Sequence, residues 1–400
     1  MPARTTGLVF RSRAVQDQRS SPVTEKHVSE AFIPVNTPLL DANEAEYLAE
    51  CIRTGWISSE GPFIKRFEQA MAEAAGRRHG VAVSNGSVAL DIAVHALGLQ
   101  PGDEVIIPTF TIISCAAAVI RAGLVPVGVD CDPATWNMTI EGVEAAITPR
   151  TRAIMLVHIY GLPVDLEPIM ELAKTRGLKV IEDAAEMHGQ TYRGAPCGSF
   201  GDVSTFSFYP NKHVTTGEGG MILTDDDALA ERLASLRNLC FQPQQRFVHE
   251  ELGWNARMTN LQAALGVAQL ERLPRAVKIK RRIGQLYDQH LADLTSIRRP
   301  VTRTNYADNI YWVYGVVLND DVGFDAKEAM RRLAQKGIGT RPFFWCMHEQ
   351  PVLRRMGLML NERHPHAEYI ARRGFYLPSG LALTEEEIAR SAQALREILP

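Results

Sequence analysis

From about Ile33 onward, short apolar runs alternate with amphipathic segments of helix length. Tyr47, Leu48, Cys51 and Ile52 recur at helical spacing over 43–54, and Gly55 supplies a C-terminal stop. Pro62 opens a second helix, with Phe63, Ile64, Phe67, Ala70, Met71 and Ala74 on one face. VAVS (81–84) then runs through Asn85-Gly86-Ser87 into SVALDIAVHALGL. EVIIP (104–108) precedes an apolar helix over about 112–122. VPVGVD, AIMLVH, LKVIED, VSTFSF and GMILTD are further short runs, and a helix over 165–177 leads into LKVIED. Near-continuous apolar strands between helices predict an α/β fold, its mostly parallel sheet covered on both faces. Ligands of such sheets bind outside the carboxyl ends of the strands.

Beyond Arg257 the pattern changes. A helical stretch over 258–294 contains Pro274, which predicts a kink or break. YWVYGVVL, a helix over 326–336 and GIGTRPFF then form a strand/helix mixture. The expected organisation is an N-terminal arm (1–31), a large α/β domain (32–270) and a small α+β domain with its linking helix (271–400). Residues 1–30 carry Arg4, Arg11, Arg13 and Arg19 among many Ser and Thr. They have no apolar core of a secretory signal and read as a mobile arm.

Composition removes several function classes. The 400 residues are 46% hydrophobic and 22% charged, the balance of a globular protein with a sizeable core. A formal net charge of -3 provides no basic field for nucleic acid. No apolar run reaches the ~18–20 residues of a membrane span, and the most apolar segment (115–129) is interrupted by Arg121 and Pro126. Six scattered cysteines without a CxxC pair suit a reducing cytoplasm. Eleven histidines show no HExxH spacing, and no metal site is expected.

Three features fall at strand ends. Ser84-Asn85-Gly86-Ser87 joins a strand to a helix start, where backbone N–H groups, the helix dipole and the Ser87 hydroxyl can cradle an anion. Taken alone, such a stretch is more often an ordinary Ser N-cap. VIEDAAEMHG ends a buried strand with Glu182-Asp183, and a buried carboxylate needs a cationic partner such as a protonated ring nitrogen. In FSFYPNKHVTTGEGG, Lys212 stands beside His213 in a partly apolar, glycine-rich loop. Desolvation there would lower the lysine pKa and prepare a nucleophilic amine. The glycines follow the lysine, so the phosphate loop of nucleotide hydrolases is absent, and no GxGxxG follows the first strand. An anion cradle, a buried carboxylate and a nucleophilic lysine together match the needs of pyridoxal phosphate.

The chain resembles the DegT/DnrJ/EryC1/StrS family of pyridoxal phosphate-dependent sugar aminotransferases, from about Ile33 to the C-terminus. TGWISSEGPFIKRFE, VAVSNGSVAL, GDEVIIPTFT, VIEDAAEMHG, FSFYPNKHVTTGEGG, GWNARMTNLQAALGVAQLE and GTRPFFWCMH carry the resemblance. It implies the fold type I architecture, with a mostly parallel seven-stranded sheet in the large domain. Lys212 matches the Schiff-base lysine and Asp183 the partner of the pyridine nitrogen. Glu186 matches a position that contacts the cofactor's phenolic oxygen, and Gly86, Ser87 and Ser207 match phosphate contacts. Asn255 matches a phosphate contact supplied by the neighbouring subunit, which implies a homodimer with shared active sites, or a tetramer built from it. TGWISSEG, EDAAE, NKxxTTGEGGM and RPFF lean toward the branch that moves an amino group from L-glutamate to C4 of GDP-4-keto-6-deoxymannose. A dTDP- or UDP-linked keto-sugar is the alternative acceptor.

Relatives often place an aromatic where Ile112 stands, so either an aliphatic side chain packs on the pyridine ring here or Phe110 reorients. In related sugar 3-dehydratases a histidine replaces the lysine. The register FSFYPNK instead puts Lys212 at that position and His213 one residue beyond, which favours transamination over dehydration. Arg341 and His348, in TRPFFWCMH, are expected to face the sugar or nucleotide.

Overall fold

The computed structural model describes residues 31–242 and 244–400, so nearly all of the expected arm over 1–31 lies outside the described residues. Seven strands build the larger sheet: β1 (His79–Val83), β2 (Glu104–Pro108), β3 (Val125–Val129), β4 (Thr151–Val157), β5 (Lys179–Asp183), β6 (Val203–Ser207) and β7 (Gly220–Thr224). Their order is β1-β7-β6-β5-β4-β2-β3. Only β7 runs antiparallel to its neighbours, and the other pairings are parallel. This is the expected α/β arrangement, with each apolar run forming a strand close to its predicted place.

Burial on both faces explains the continuous apolar runs. Val105, Ile107, Met155, Ile181 and Ile222 pack into a core on one face. Their strand neighbours Ile106, Ile154, Val180, Met221 and Leu223 pack into a second core on the other. Local capping fixes where many helices start. The Asn85, Thr139, Asp226, Thr259, Asp325 and Thr384 side chains each accept a backbone N–H of the first turn.

The predicted break over 258–294 falls at Arg272, between helices Asn260–Glu271 and Leu273–His290. Pro274 sits in the first turn of the second helix, where a missing N–H costs nothing. A smaller antiparallel sheet follows: β8 (Ile297–Arg298), β9 (Tyr314–Leu318), β10 (Arg341–Pro342) and β11 (Gly374–Leu377), in the order β8-β9-β11-β10. A third core, including Tyr287, Tyr314, Leu333, Phe375 and Leu395, lies beneath it. All six cysteines are free and buried. Among the described residues no helix is long and apolar enough to cross a membrane.

Candidate active site

A cavity of about 870 Å³ opens at the carboxyl ends of β1, β4, β5 and β6. Gly86, Ser87, Asp183, Glu186, Ser207 and Lys212 all line it, so six of the expected site residues meet in one place.

The first helix after β1 begins at Gly86 and is capped by Asn85, whose Oδ1 accepts the Val88 N–H at 2.9 Å. Ser87 is therefore not the cap. Its hydroxyl stays exposed, 2.7 Å from that of Ser114. A side chain at position 86 would come within 2.6 Å of Ser207 Cβ, so only glycine lets this helix start close against the end of β6. The free N–H groups of the first turn and the Ser87 and Ser207 hydroxyls at the cavity wall offer donors for an anion.

At the end of β5 two adjacent carboxylates part company, because side chains alternate along a strand. Glu182 is saturated by His158 Nε2 at 3.0 Å, the Gly198 N–H at 2.6 Å and the Phe200 N–H at 2.8 Å. Asp183 turns to the cavity. Among the described residues it receives the Ala185 N–H at 3.1 Å and the Cys115 thiol at 3.5 Å. Desolvation raises its pKa, and Lys212 pulls the value partly back. Glu186 accepts the Tyr160 N–H at 2.7 Å and lies 3.6 Å from Lys212 Nζ. Burial pushes its pKa up to about 7 against the opposing pull of Lys212.

Lys212 Nζ lies 3.8 Å from the centre of the Trp312 ring, and its side chain is only 9% exposed. Desolvation lowers its pKa, while Glu186 and Asp183 resist that shift. His213 is fully buried and does not line the cavity. Burial holds its pKa well below the ordinary value, so it stays neutral.

Other expectations fare differently. His348 is not brought into the cavity. Thr109 Oγ1 lies 2.7 Å from its Nδ1 and Glu368 Oε1 3.2 Å from its Nε2, so a buried network claims both ring nitrogens. Asn255 is exposed and lies outside the cavity of its own chain. Arg341 faces a smaller side chamber rather than the main space. Phe110 does not reorient, because it is locked among Tyr160, Phe343 and Phe344. Ile112 lines the cavity instead.

The sequence reading missed the aromatic wall. Trp312 precedes β9, donates its indole N–H to the Asn211 carbonyl at 2.9 Å and reaches Lys212 from a hundred residues away in the chain. A Cβ at Gly161 would lie 2.6 Å from the Trp312 backbone nitrogen, and its φ of +107° admits glycine alone without strain. Tyr160, at φ 55°, and Tyr376 complete the cluster around Trp312. Nothing in the hydrophobic periodicity marks these three.

The site suits pyridoxal phosphate on its own chemistry. Asp183 has no cationic partner within ion-pair distance among the described residues, and a protonated pyridine nitrogen would supply one. The Thr205 hydroxyl, opposite Asp183 on β6, is buried, lines the cavity and has no hydrogen-bond partner among the described residues. The helix start at Gly86 faces the same space for a phosphate.

Comparison with known proteins agrees. The profile of the DegT/DnrJ/EryC1/StrS aminotransferase family matches residues 38–396. The chain belongs to this family. It is an aminotransferase, and pyridoxal phosphate is its cofactor. It is 44% identical over 370 residues to the GDP-perosamine synthase of Caulobacter vibrioides, covering 92% of this chain and 98% of that protein. It is 33% identical over 370 residues to the putative pyridoxal phosphate-dependent aminotransferase EpsN of Bacillus subtilis, covering 91% and 95%. Among solved structures it resembles DesI, described in the presence of its TDP-sugar product. There the TM-score is 0.83 at 33% identity, covering 92% of this chain and 93% of that one.

Proposed function

We propose that the protein transfers an amino group from L-glutamate to C4 of GDP-4-keto-6-deoxymannose, giving GDP-perosamine. The observation that carries this reading is Lys212 Nζ, held between Glu186 and the Trp312 ring at the cavity floor. The similarity to a GDP-perosamine synthase over nearly the whole chain supports the choice of acceptor.

Pyridoxal phosphate, when bound, supplies an electron sink beside the carbon that carries the amino group. The chain does the rest. The Gly86 helix start, Ser87 and Ser207 would hold the cofactor's phosphate, and Asp183 would keep a proton on its ring nitrogen. Glu186 would face the phenolic oxygen. Lys212, its basicity lowered by burial, would accept and then return the proton at Nζ as general base and acid. The apolar side chains around it limit water access during that transfer. In the second half-reaction the same groups run the steps in reverse on the keto-sugar.

The active site is completed by a second subunit in this reading, with Asn255 reaching the partner's phosphate site. Its exposure away from its own cavity supports that role. The large and small domains divide at 270/271, next to the helix break at Arg272.

The experiment is a visible absorbance spectrum of the holoenzyme, followed through addition of L-glutamate and then GDP-4-keto-6-deoxymannose. The cofactor's visible band should fall with glutamate and return with the sugar. A band that glutamate never alters sinks the donor, and one that this sugar never restores sinks the acceptor.

A further inference from the structure

A side chamber of about 230 Å³ adjoins the main cavity, and Tyr209, Asn211, Trp312 and Tyr376 wall both spaces. It is smaller than the about 300–1,000 Å³ typical of drug-sized ligand sites. On its own it would hold a short carboxylate-tipped chain but not a whole nucleoside diphosphate. Arg341 is the only charged side chain among the described residues that line it. Arg341 is exposed at the chamber edge, donates to the neighbouring Thr340 carbonyl at 3.3 Å, and has no carboxylate within ion-pair distance among the described residues. Arg77, Arg121, Arg150, Arg232 and Arg237, by contrast, each meet a carboxylate, and Arg341 is set apart by standing at this chamber.

The backbone aims this free cation. Arg341 on β10 pairs in register with Tyr376 on β11, so the two side chains leave the same face of the small sheet side by side. Burial pushes the Tyr376 pKa up to about 12 although Arg341 opposes the shift, so its hydroxyl remains a proton donor. A planar guanidinium beside a phenolic hydroxyl matches a carboxylate, which takes two parallel N–H donors and one O–H. An aminotransferase must admit two unlike partners to one lysine. A cation set to one side can hold a small donor acid without obstructing the larger acceptor.

We propose that Arg341 and Tyr376 form a subsite for one carboxylate of the amino donor, holding a short dicarboxylic amino acid with its amino group toward Lys212. The inference rests on the transamination reading above and sharpens how the donor is recognised. It also moves Arg341 from the sugar nucleotide, where the sequence placed it, to the donor.

The test compares Arg341→Gln and Arg341→Lys with the wild-type holoenzyme in separate half-reactions. The glutamate concentration that half-depletes the cofactor band should rise roughly tenfold or more in Arg341→Gln, and less in Arg341→Lys. The nucleotide-sugar concentration that half-restores it should stay within about twofold, since that ligand would fill the larger cavity. Calorimetric binding of glutarate, which carries no amino group and cannot react, should weaken in parallel without any dependence on turnover. Circular dichroism and cofactor content confirm that each variant is folded and loaded. Unchanged glutamate and glutarate affinities overturn the subsite, and so does a loss confined to the nucleotide-sugar. A wild-type enzyme whose band ignores glutamate altogether overturns the transamination reading instead, so the two failures are separable.

Discussion

Two pairs of like residues divide the interior into a tied region and a free one. Glu182 and Asp183 are consecutive and both buried, yet Glu182 has three short partners and Asp183 has a backbone N–H and a thiol. Lys280 and Lys212 repeat the contrast. The Lys280 amino group donates to the Trp312 carbonyl at 2.8 Å and the Ser379 carbonyl at 2.5 Å. Lys212 Nζ meets only the Glu186 edge at 3.6 Å and a ring face. Burying a charge without full hydrogen bonding is costly, so a fold tolerates it where the missing partner arrives with a ligand. The difference teaches that the chemistry resides in what the fold leaves unpaired. The tied members hold the frame: Glu182 fixes the turn at 198–200, and Lys280 fixes the carbonyl of the tryptophan that faces the working lysine.

Replacing Lys212 is the most severe way to strain this division. Lys212→Ala should bring transamination, assayed as amino-sugar product, below detection, while the variant still folds. Substantial turnover in that variant removes the assignment. Next comes the carboxylate pair. Asp183→Asn should lower turnover by roughly a hundredfold or more through loss of a charge-assisted contact to the ring nitrogen. Its unfolding free energy should change by less than about 1 kcal/mol, because little in the protein depends on that carboxylate. Glu182→Ala should do the reverse. It strands His158 and two backbone N–H groups, at about 3–5 kcal/mol of stability, yet leaves turnover per folded molecule within a few-fold. Denaturant titration and cofactor-normalised rates read both. Swapped results would dissolve the contrast.

Much of this was legible in the chain because the signals were local. Apolar runs flanked by capping residues and glycines placed all seven strands of the large sheet, and Pro274 announced the break at Arg272. Strand alternation puts Glu182 and Asp183 on opposite faces, but it cannot say which face carries the cavity, and the family resemblance supplied that choice. Trp312 was illegible for a physical reason. YWVYGVVL reads as one strand, whereas β9 begins only at Tyr314, and Tyr311, just before Trp312, adopts a left-handed φ of 51° outside strand geometry. His348 was misplaced because proximity in sequence to RPFF suggested the cavity. Its true partners, Thr109 and Glu368, are 239 and 20 residues away.

The lysine pair gives a pH-dependent test. Desolvation, reinforced by the charge of Lys212, lowers the Lys280 pKa from 10.5 to about 7. Between those values the unfolded chain holds a proton that the folded chain has released. Stability from this residue therefore rises with pH across that window, by at most about 1.4 kcal/mol per pH unit, and stays at its minimum below pH 7. Lys280→Met removes the titration. The difference in unfolding free energy between wild type and variant, measured from pH 6 to 10, should thus tilt toward the wild type as pH rises. A flat difference would mean that Lys280 keeps its proton in the folded state and is as free electrostatically as an exposed lysine.

The smallest expected effect concerns the wall beside the free region. Ile112 is 43% exposed and lines the cavity at a position where an aromatic would present a flat face. It caps the Ile113–Arg121 helix through its backbone, with no side-chain hydrogen bond, so exchanging the side chain should leave the helix start intact. Ile112→Tyr should then tighten cofactor binding by an aromatic pair's worth, about 0.5–1.5 kcal/mol, or roughly two- to tenfold in the dissociation constant. Equilibrium dialysis of pyridoxal phosphate against apoenzyme reads this directly. Carrying out the same titration in Lys212→Ala removes any covalent contribution, and the gain should survive there. A gain only when Lys212 is present would show that the tyrosine acts on the lysine. No gain in either background would place the ring away from position 112. The free region would then owe its hold on the cofactor to Asp183 and the Gly86 helix start, with no help from this wall.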